Sequence, residues 1–208
     1  MFLSTYFYTF RRNTPLMKIK FVLFSLMLSF SSVTIGQSSK YDIVLFGNSI
    51  GSGTSSSSKT SAGNLNYKLV TSASANVLFK ERTSHSDIEM EYKGDVLQSC
   101  KMKREKDGEW QDIKITYENG KHYFVENGKK YTISKPVTFT STQLFFKEPI
   151  GVKEIYIERL NVFTPIVKEA EGVYKTVIDG GDNYYKYEKG VMVEFRLKKG
   201  ISVFINKV

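Results

Sequence analysis

Polar and apolar positions alternate with a period of two through the middle of the chain. Asp112, Lys114, Thr116 and Glu118 interleave with Ile113, Ile115 and Tyr117. An extended segment of this kind turns one face to a core and the other to water. Asn119-Gly120 follows, a pair that accepts positive φ at both positions and so predicts a two-residue type I′ hairpin. That turn opposes Glu118 to Lys121, Tyr117 to His122 and Ile115 to Phe124. Asn127-Gly128 repeats the device, opposing Glu126 to Lys129, Phe124 to Tyr131 and His122 to Ile133. Directly opposed residues share a face. The expected buried face is therefore Ile113, Ile115, Tyr117, His122, Phe124, Tyr131 and Ile133. A slip of one residue would bury the charges, so the register is strongly specified.

The last third follows the same logic. Val191, Val193, Phe195 and Leu197 alternate with Met192, Glu194, Arg196 and Lys198; Lys199-Gly200 turns the chain, and Ile201, Val203 and Ile205 continue at period two. Upstream, Ile155 and Ile157 alternate with Glu154, Tyr156 and Glu158, and Val173, Tyr174, Val177 and Ile178 make a more fully apolar strand. Further turn signals fall at Lys93-Gly94, Asp107-Gly108, Gly180-Gly181-Asp182 and Lys189-Gly190. The spacing predicts an all-β fold of consecutive hairpins, with no amphipathic helix. Two stretches interrupt it. The Gly/Ser-rich residues 51–64 read as a mobile loop between strands at Tyr41–Ile50 and Leu65–Thr71. Pro149, in Lys147–Gly151, reads as the end of a strand.

The N-terminus carries a different pattern. Lys18 and Lys20 precede the apolar run Phe21–Phe30, and small and polar residues lead to Gly36-Gln37. This is the layout of a secretory signal, with cleavage expected after Gly36 and Met17 as the expected start. The run is shorter than the ~20 residues of a membrane-spanning helix, and no later segment is long and apolar enough to span. The expectation is a signal peptide over 1–36, a single domain over 37–208, and an exported protein, periplasmic or extracellular.

Composition narrows the chemistry. The chain has 208 residues, one cysteine, two histidines and a formal charge of +9. One cysteine excludes an intramolecular disulfide framework and multi-cysteine metal sites. Loss of Arg11, Arg12, Lys18 and Lys20 with the signal leaves +5, spread along the chain rather than clustered. That suits solubility or weak attraction to anionic lipid or polysaccharide better than nucleic acid. No cofactor motif is present: the glycines near Lys59-Thr60 lack phosphate-loop spacing. Ser84-His85-Ser86-Asp87 reads as a polar turn or edge rather than a triad, because neighbours on a strand point to opposite faces. His122 reads as a core histidine and Cys100 as a buried thiol. Glu148 and Glu158 are candidate paired carboxylates for glycoside chemistry. The aromatic runs Leu144-Phe145-Phe146 and Asn183-Tyr184-Tyr185-Lys186-Tyr187 suit core packing or an aromatic-lined concave face.

Thr138–Pro149 (TFTSTQLFFKEP), Ile155–Ile166 (IYIERLNVFTPI) and Asp179–Met192 (DGGDNYYKYEKGVM) together resemble an uncharacterised family of exported bacterial proteins, domain of unknown function 6134, found chiefly in Bacteroidetes. The family's threonine-rich strand ending in an aromatic-Phe-x-Glu-Pro corner matches Phe145, Phe146, Glu148 and Pro149. Its Asn-x-Tyr-x-Tyr step matches Asn183, Tyr185 and Tyr187. At its Ser-Glu step this chain has Ile157-Glu158, so only the acid matches. The opening strand, YDIVLFGNSIG, also fits. The resemblance covers most of residues 41–208 and implies a strongly curved antiparallel sheet or open β-barrel, with no assigned activity. It marks Phe146, Glu148, Glu158, Asn183, Tyr185 and Tyr187 as candidate ligand-binding residues. The expected ligand is a lipid or other apolar or amphipathic molecule on the concave face. The alternatives are docking of an envelope protein through sheet edges or the 51–64 loop, and a carboxylate-dependent hydrolase.

Overall fold

The computed structural model describes residues 36–208; the expected signal lies outside them except for Gly36. Fourteen strands follow one another: β1 (Gln37–Leu45), β2 (Asn48–Lys59), β3 (Leu65–Val77), β4 (Lys80–Lys93), β5 (Val96–Lys106), β6 (Glu109–Glu118), β7 (Lys121–Glu126), β8 (Lys129–Thr132), β9 (Glu154–Ile157), β10 (Val162–Ala170), β11 (Val173–Ile178), β12 (Gly181–Glu188), β13 (Val191–Lys199) and β14 (Ile201–Lys207). Each pairs antiparallel with its chain neighbour except β8 and β9, and β1 pairs with β14. The result is one open antiparallel sheet whose edges are β8 and β9. Four extra residues, Ile50, Gln98, Glu169 and Val193, sit where the registers shift. Each such bulge bends its strand and adds twist, which curls a sheet of this width.

The hairpins of β6, β7 and β8 have the expected register: Tyr117 faces His122, Ile115 faces Phe124, and Phe124 faces Tyr131. Ile113, Ile115, His122, Phe124 and Ile133 are buried; Tyr117 and Tyr131 are 37% and 47% exposed. Both tyrosines share the apolar face but stand where the sheet runs out, Tyr117 beside His122 and Tyr131 beside Phe124.

Four expectations need correction. Residues 51–59 are not a mobile loop but most of β2, paired on both sides; the turn is confined to 60–64. Small residues are needed there. A Cβ on Gly51 would lie 2.1 Å from the Ser72 carbonyl oxygen, Gly53 lies under Tyr41, and Ser55 meets the Tyr41 hydroxyl at 3.2 Å. No strand runs into Pro149: Thr140 makes one isolated bridge to Tyr156, and Thr142–Phe145 is a single 3-10 turn. Ser84–Asp87 is neither turn nor edge but the middle of β4, flanked by β3 and β5. The face expected to carry Val191 is also split. The bulge at Val193 turns Met192 inward and leaves Val191 exposed, while Phe195 stays inside, opposite Tyr185.

The crossover between β8 and β9 fills one end of the curl. The Leu97 N–H donates to the Val137 carbonyl at 3.1 Å, and the Tyr156 N–H donates to Phe139 at 2.9 Å, so the segment bonds to strands on both sides of the seam. Tyrosines from three other strands hold it from within. Tyr92 donates to Thr140 Oγ1 at 3.1 Å, Tyr187 to the Leu144 carbonyl at 2.6 Å, and Tyr41 to the Phe145 carbonyl at 3.3 Å. Two apolar clusters pack against this plug. One is built on Tyr67, Met90, Tyr92, Leu97 and Ile115, the other on Tyr41, Leu144, Ile155, Tyr187 and Met192.

His122, 1% exposed, belongs to the first half of that packing. Its Nε2 lies 2.7 Å from the Leu97 carbonyl, so that nitrogen donates, and its Nδ1 accepts from the Val137 N–H at 3.4 Å. Burial holds its pKa below the ordinary 6.5, against a smaller upward pull from the Leu97 bond. The unfolded chain therefore takes up a proton below 6.5 that the folded chain resists, and stability falls as pH drops through that window. Urea midpoints should be lower at pH 5 than at pH 7, and His122→Gln should shrink the difference. An unchanged difference in the variant would assign the acid sensitivity elsewhere.

Candidate functional site

At the end of the curl away from the plug, the chain turns at 46–47, 78–79, 107–108, 179–180 and 199–200. The inner face there is not filled. It encloses a cavity of about 710 Å³, walled by Ile43, Leu45, Ala73, Leu197, Val203 and Ile205 and open between the turns. The reason lies in side-chain size. Deeper in the curl the inward positions of β3 and β4 carry Tyr67, Leu69, Ile88 and Met90; toward the mouth they carry Thr71, Ala73, Ala75, Ser86 and Ser84. The strands continue at full width while the residues between them shrink. A volume of this size lies within the usual 300–1,000 Å³ of small-molecule sites.

A recess of about 250 Å³ continues inward. Its floor includes Ser141, Thr142, Phe145 and Glu158, so the plug closes the bottom of the cavity. Glu158 is fully buried and accepts from the Thr142 N–H at 2.9 Å and from the Ser141 hydroxyl. The carboxylate thereby fixes the start of the 3-10 turn.

Charge gathers at the mouth. Arg82, Arg104, Lys106, Arg159 and Lys199 line it with only two acids, Asp107 and Asp179. Asp107 is paired with Arg82 at 2.8 Å and Asp179 with Arg159 at 3.0 Å. Each acid is held below its usual carboxylate range, Asp179 chiefly by Arg159, and Asp107 by Arg82 and the Thr83 N–H against the opposing effect of burial. Arg104 differs. It is half-buried on β5, borders both the cavity and the inner recess, and makes no ion pair among the described residues. Burial, and then the nearby Arg159, lower its pKa, while Asp179 pulls weakly the other way. A guanidinium in that position favours an incoming anion.

The six residues singled out from sequence divide into two groups. Asn183, Tyr185 and Glu158 border the cavity or its recesses. Tyr187, Phe146 and Glu148 serve the packing of the plug. Tyr187 bonds to Leu144, Phe146 stacks on Tyr67 at 4.7 Å, and Glu148 accepts from the Tyr174 hydroxyl at 2.9 Å. Burial and then Glu148 push that hydroxyl up to about 12. Burial likewise raises Tyr185 and Tyr187 far above the usual phenol value, so both hydroxyls remain neutral. It also pushes the Cys100 thiol up, against nucleophilic use. Glu148 is not among the residues lining the cavity, so the two carboxylates do not face a common cleft there. Arg104 and its neighbouring cations went unmarked in the sequence because they come from β4, β5, β13 and the β9–β10 turn. No local motif joins them.

A family model described as a domain of unknown function (DUF6134) matches residues 41–207. The chain belongs to the DUF6134 family. The matched span runs from β1 to β14 and so includes every strand that walls the cavity. Among solved structures, the chain is similar to a β-barrel-like protein of domain of unknown function DUF1849 from Brucella abortus. The identity is 12%, the match covers 84% of this chain and 96% of that one, and the TM-score is 0.49. No curated protein matches the chain. Among the described residues of this DUF6134 protein, no group of three or more His, Cys, Asp or Glu is placed to hold a metal ion, and no helix is long and apolar enough to cross a membrane.

Proposed function

We propose that this DUF6134 protein is an exported envelope protein that holds an amphipathic molecule, an apolar chain with an anionic head, in the open end of its curled sheet. The carrying observation is the pairing of a large aliphatic cavity with Arg104, a half-buried cation on its wall that makes no ion pair among the described residues. An apolar chain gains packing in such a cavity, and a half-buried guanidinium gains from an anionic partner. One ligand of mixed character satisfies both. Asn183, Tyr185 and the Ser141 hydroxyl add polar groups at the recesses. Docking of an envelope protein through a sheet edge has less support. β8 is four residues long, exposed, and carries Lys129 and Lys130, which blunts it against strand addition.

Titration with an environment-sensitive fluorescent fatty acid tests the proposal. Saturable binding is expected, with displacement by unlabelled fatty acid. Arg104→Met should weaken it roughly 10-fold, the worth of one charge-assisted hydrogen bond, while a fatty alcohol of equal length should bind both proteins alike. Equal fatty-acid affinity in the variant would remove Arg104 from the site.

A further inference from the structure

Two of the turns beside the mouth are chemically unlike the rest. Asn119-Gly120, Asn127-Gly128 and Asp107-Gly108 have positive φ at both positions and use residues suited to it. Leu78-Phe79, joining β3 to β4, has φ of 50° and 64°, and Phe46, before Gly47, has φ of 51°. Bulky side chains are outliers in that region and are held there at a cost. They gain nothing from the fold in return: Leu78 is 88% exposed, Phe79 is exposed like a free side chain, and Phe46 is 70% exposed. β2 and β3 are paired as far as Gly51 and Ala73, and beyond that pair both chains run on to these tips at the same end of the sheet. They stand beside the mouth, whose lining includes Leu45, Ile50 and Val77.

We propose that Phe46, Leu78 and Phe79 are a docking edge that enters the surface of a bilayer bearing anionic headgroups, seating the mouth of the cavity against the membrane. The charge fits this partner, because the mouth lining has three more cations than acids and Lys80 follows Phe79 directly. Apolar tips ringed by lysine and arginine bind reversibly at such interfaces, the tips by apolar burial and the cations by headgroup attraction. The area argues against a second copy or a folded partner. Three side chains of at most about 250 Å² each fall short of the roughly 800 Å² per partner of a stable interface. The inference goes beyond the ligand proposal and stands without it.

The test is vesicle flotation of the purified protein beside the double variant Leu78→Asn with Phe79→Gly. Those residues suit a type I′ turn, so the variant should fold and melt at a higher temperature than the parent. The parent should float with vesicles of phosphatidylcholine mixed with phosphatidylglycerol, less with phosphatidylcholine alone, and less as salt rises. The variant should lose roughly tenfold or more of that partition and keep its affinity for the fluorescent fatty acid. Equal flotation of parent and variant would overturn the proposal. So would failure of the parent to float, or a loss that tracks dissociation of a dimer. Intact fatty-acid binding in any of those cases leaves the ligand proposal standing.

Discussion

Tryptophan at both Thr71 and Val203 is expected to lower fatty-acid affinity at least roughly 100-fold, a loss of about 2.7 kcal/mol in binding. Thr71 borders both the main cavity and the inner recess, and Val203 lies in the β14 wall between Leu45 and Leu197. Indole rings at these two positions obstruct the passage and occupy the space an acyl chain would take. The walls face open volume, so the additions do not demand repacking of a filled core, the usual reason that enlarged residues destabilise. The circular dichroism spectrum should be unchanged and the melting temperature close to that of the parent. Retained affinity in a folded variant would mean that the ligand binds elsewhere.

Glu158→Ala should destabilise the fold by about 3 kcal/mol, because it leaves two donors, the Thr142 N–H and the Ser141 hydroxyl, without their acceptor in a buried site. Glu158→Gln keeps an oxygen for the Thr142 N–H and should cost about 1 kcal/mol. Urea denaturation of the two variants separates the cases. Equal costs would mean that the negative charge matters more than the bonds that anchor the plug. This residue drew attention in the sequence as half of a catalytic carboxylate pair. In the folded chain it holds the 3-10 turn that floors the cavity, and Glu148 is engaged separately by Tyr174.

The parts of the fold legible from sequence were those written locally. Asn119-Gly120 and Asn127-Gly128 state their turn type, and alternation on either side leaves one register that buries Ile113, Ile115 and Phe124. β2 was misread because glycine and serine, the residues of loops, are also those that fit under Tyr41 and beside Ala73. That need is set by strands that pair with it, not by β2 itself. The turn at Leu78-Phe79 was invisible for the opposite reason: it lacks the asparagine and glycine by which such turns are recognised. The mouth was hidden as well. Arg104 and Arg159 lie 55 residues apart in the chain and influence one another only after the sheet curls. Charges that look dispersed along the sequence thus converge on one rim. Asn183 and Tyr185, marked through the Asn-x-Tyr-x-Tyr step of the family resemblance, border a recess of the cavity. Their partners Phe195 and Leu197 were read only as one face of a strand, because a cavity leaves no period in a sequence.

The most direct test of the ligand proposal is native mass spectrometry of the protein produced with its full N-terminus in a bacterial host and purified without detergent. The expected result is a reproducible added mass that dissociates as an acidic amphiphile, present in the parent and lost in the variant with tryptophan at Thr71 and Val203. A parent that is bare as purified, and stays bare after incubation with a fatty acid, would contradict a ligand-holding cavity.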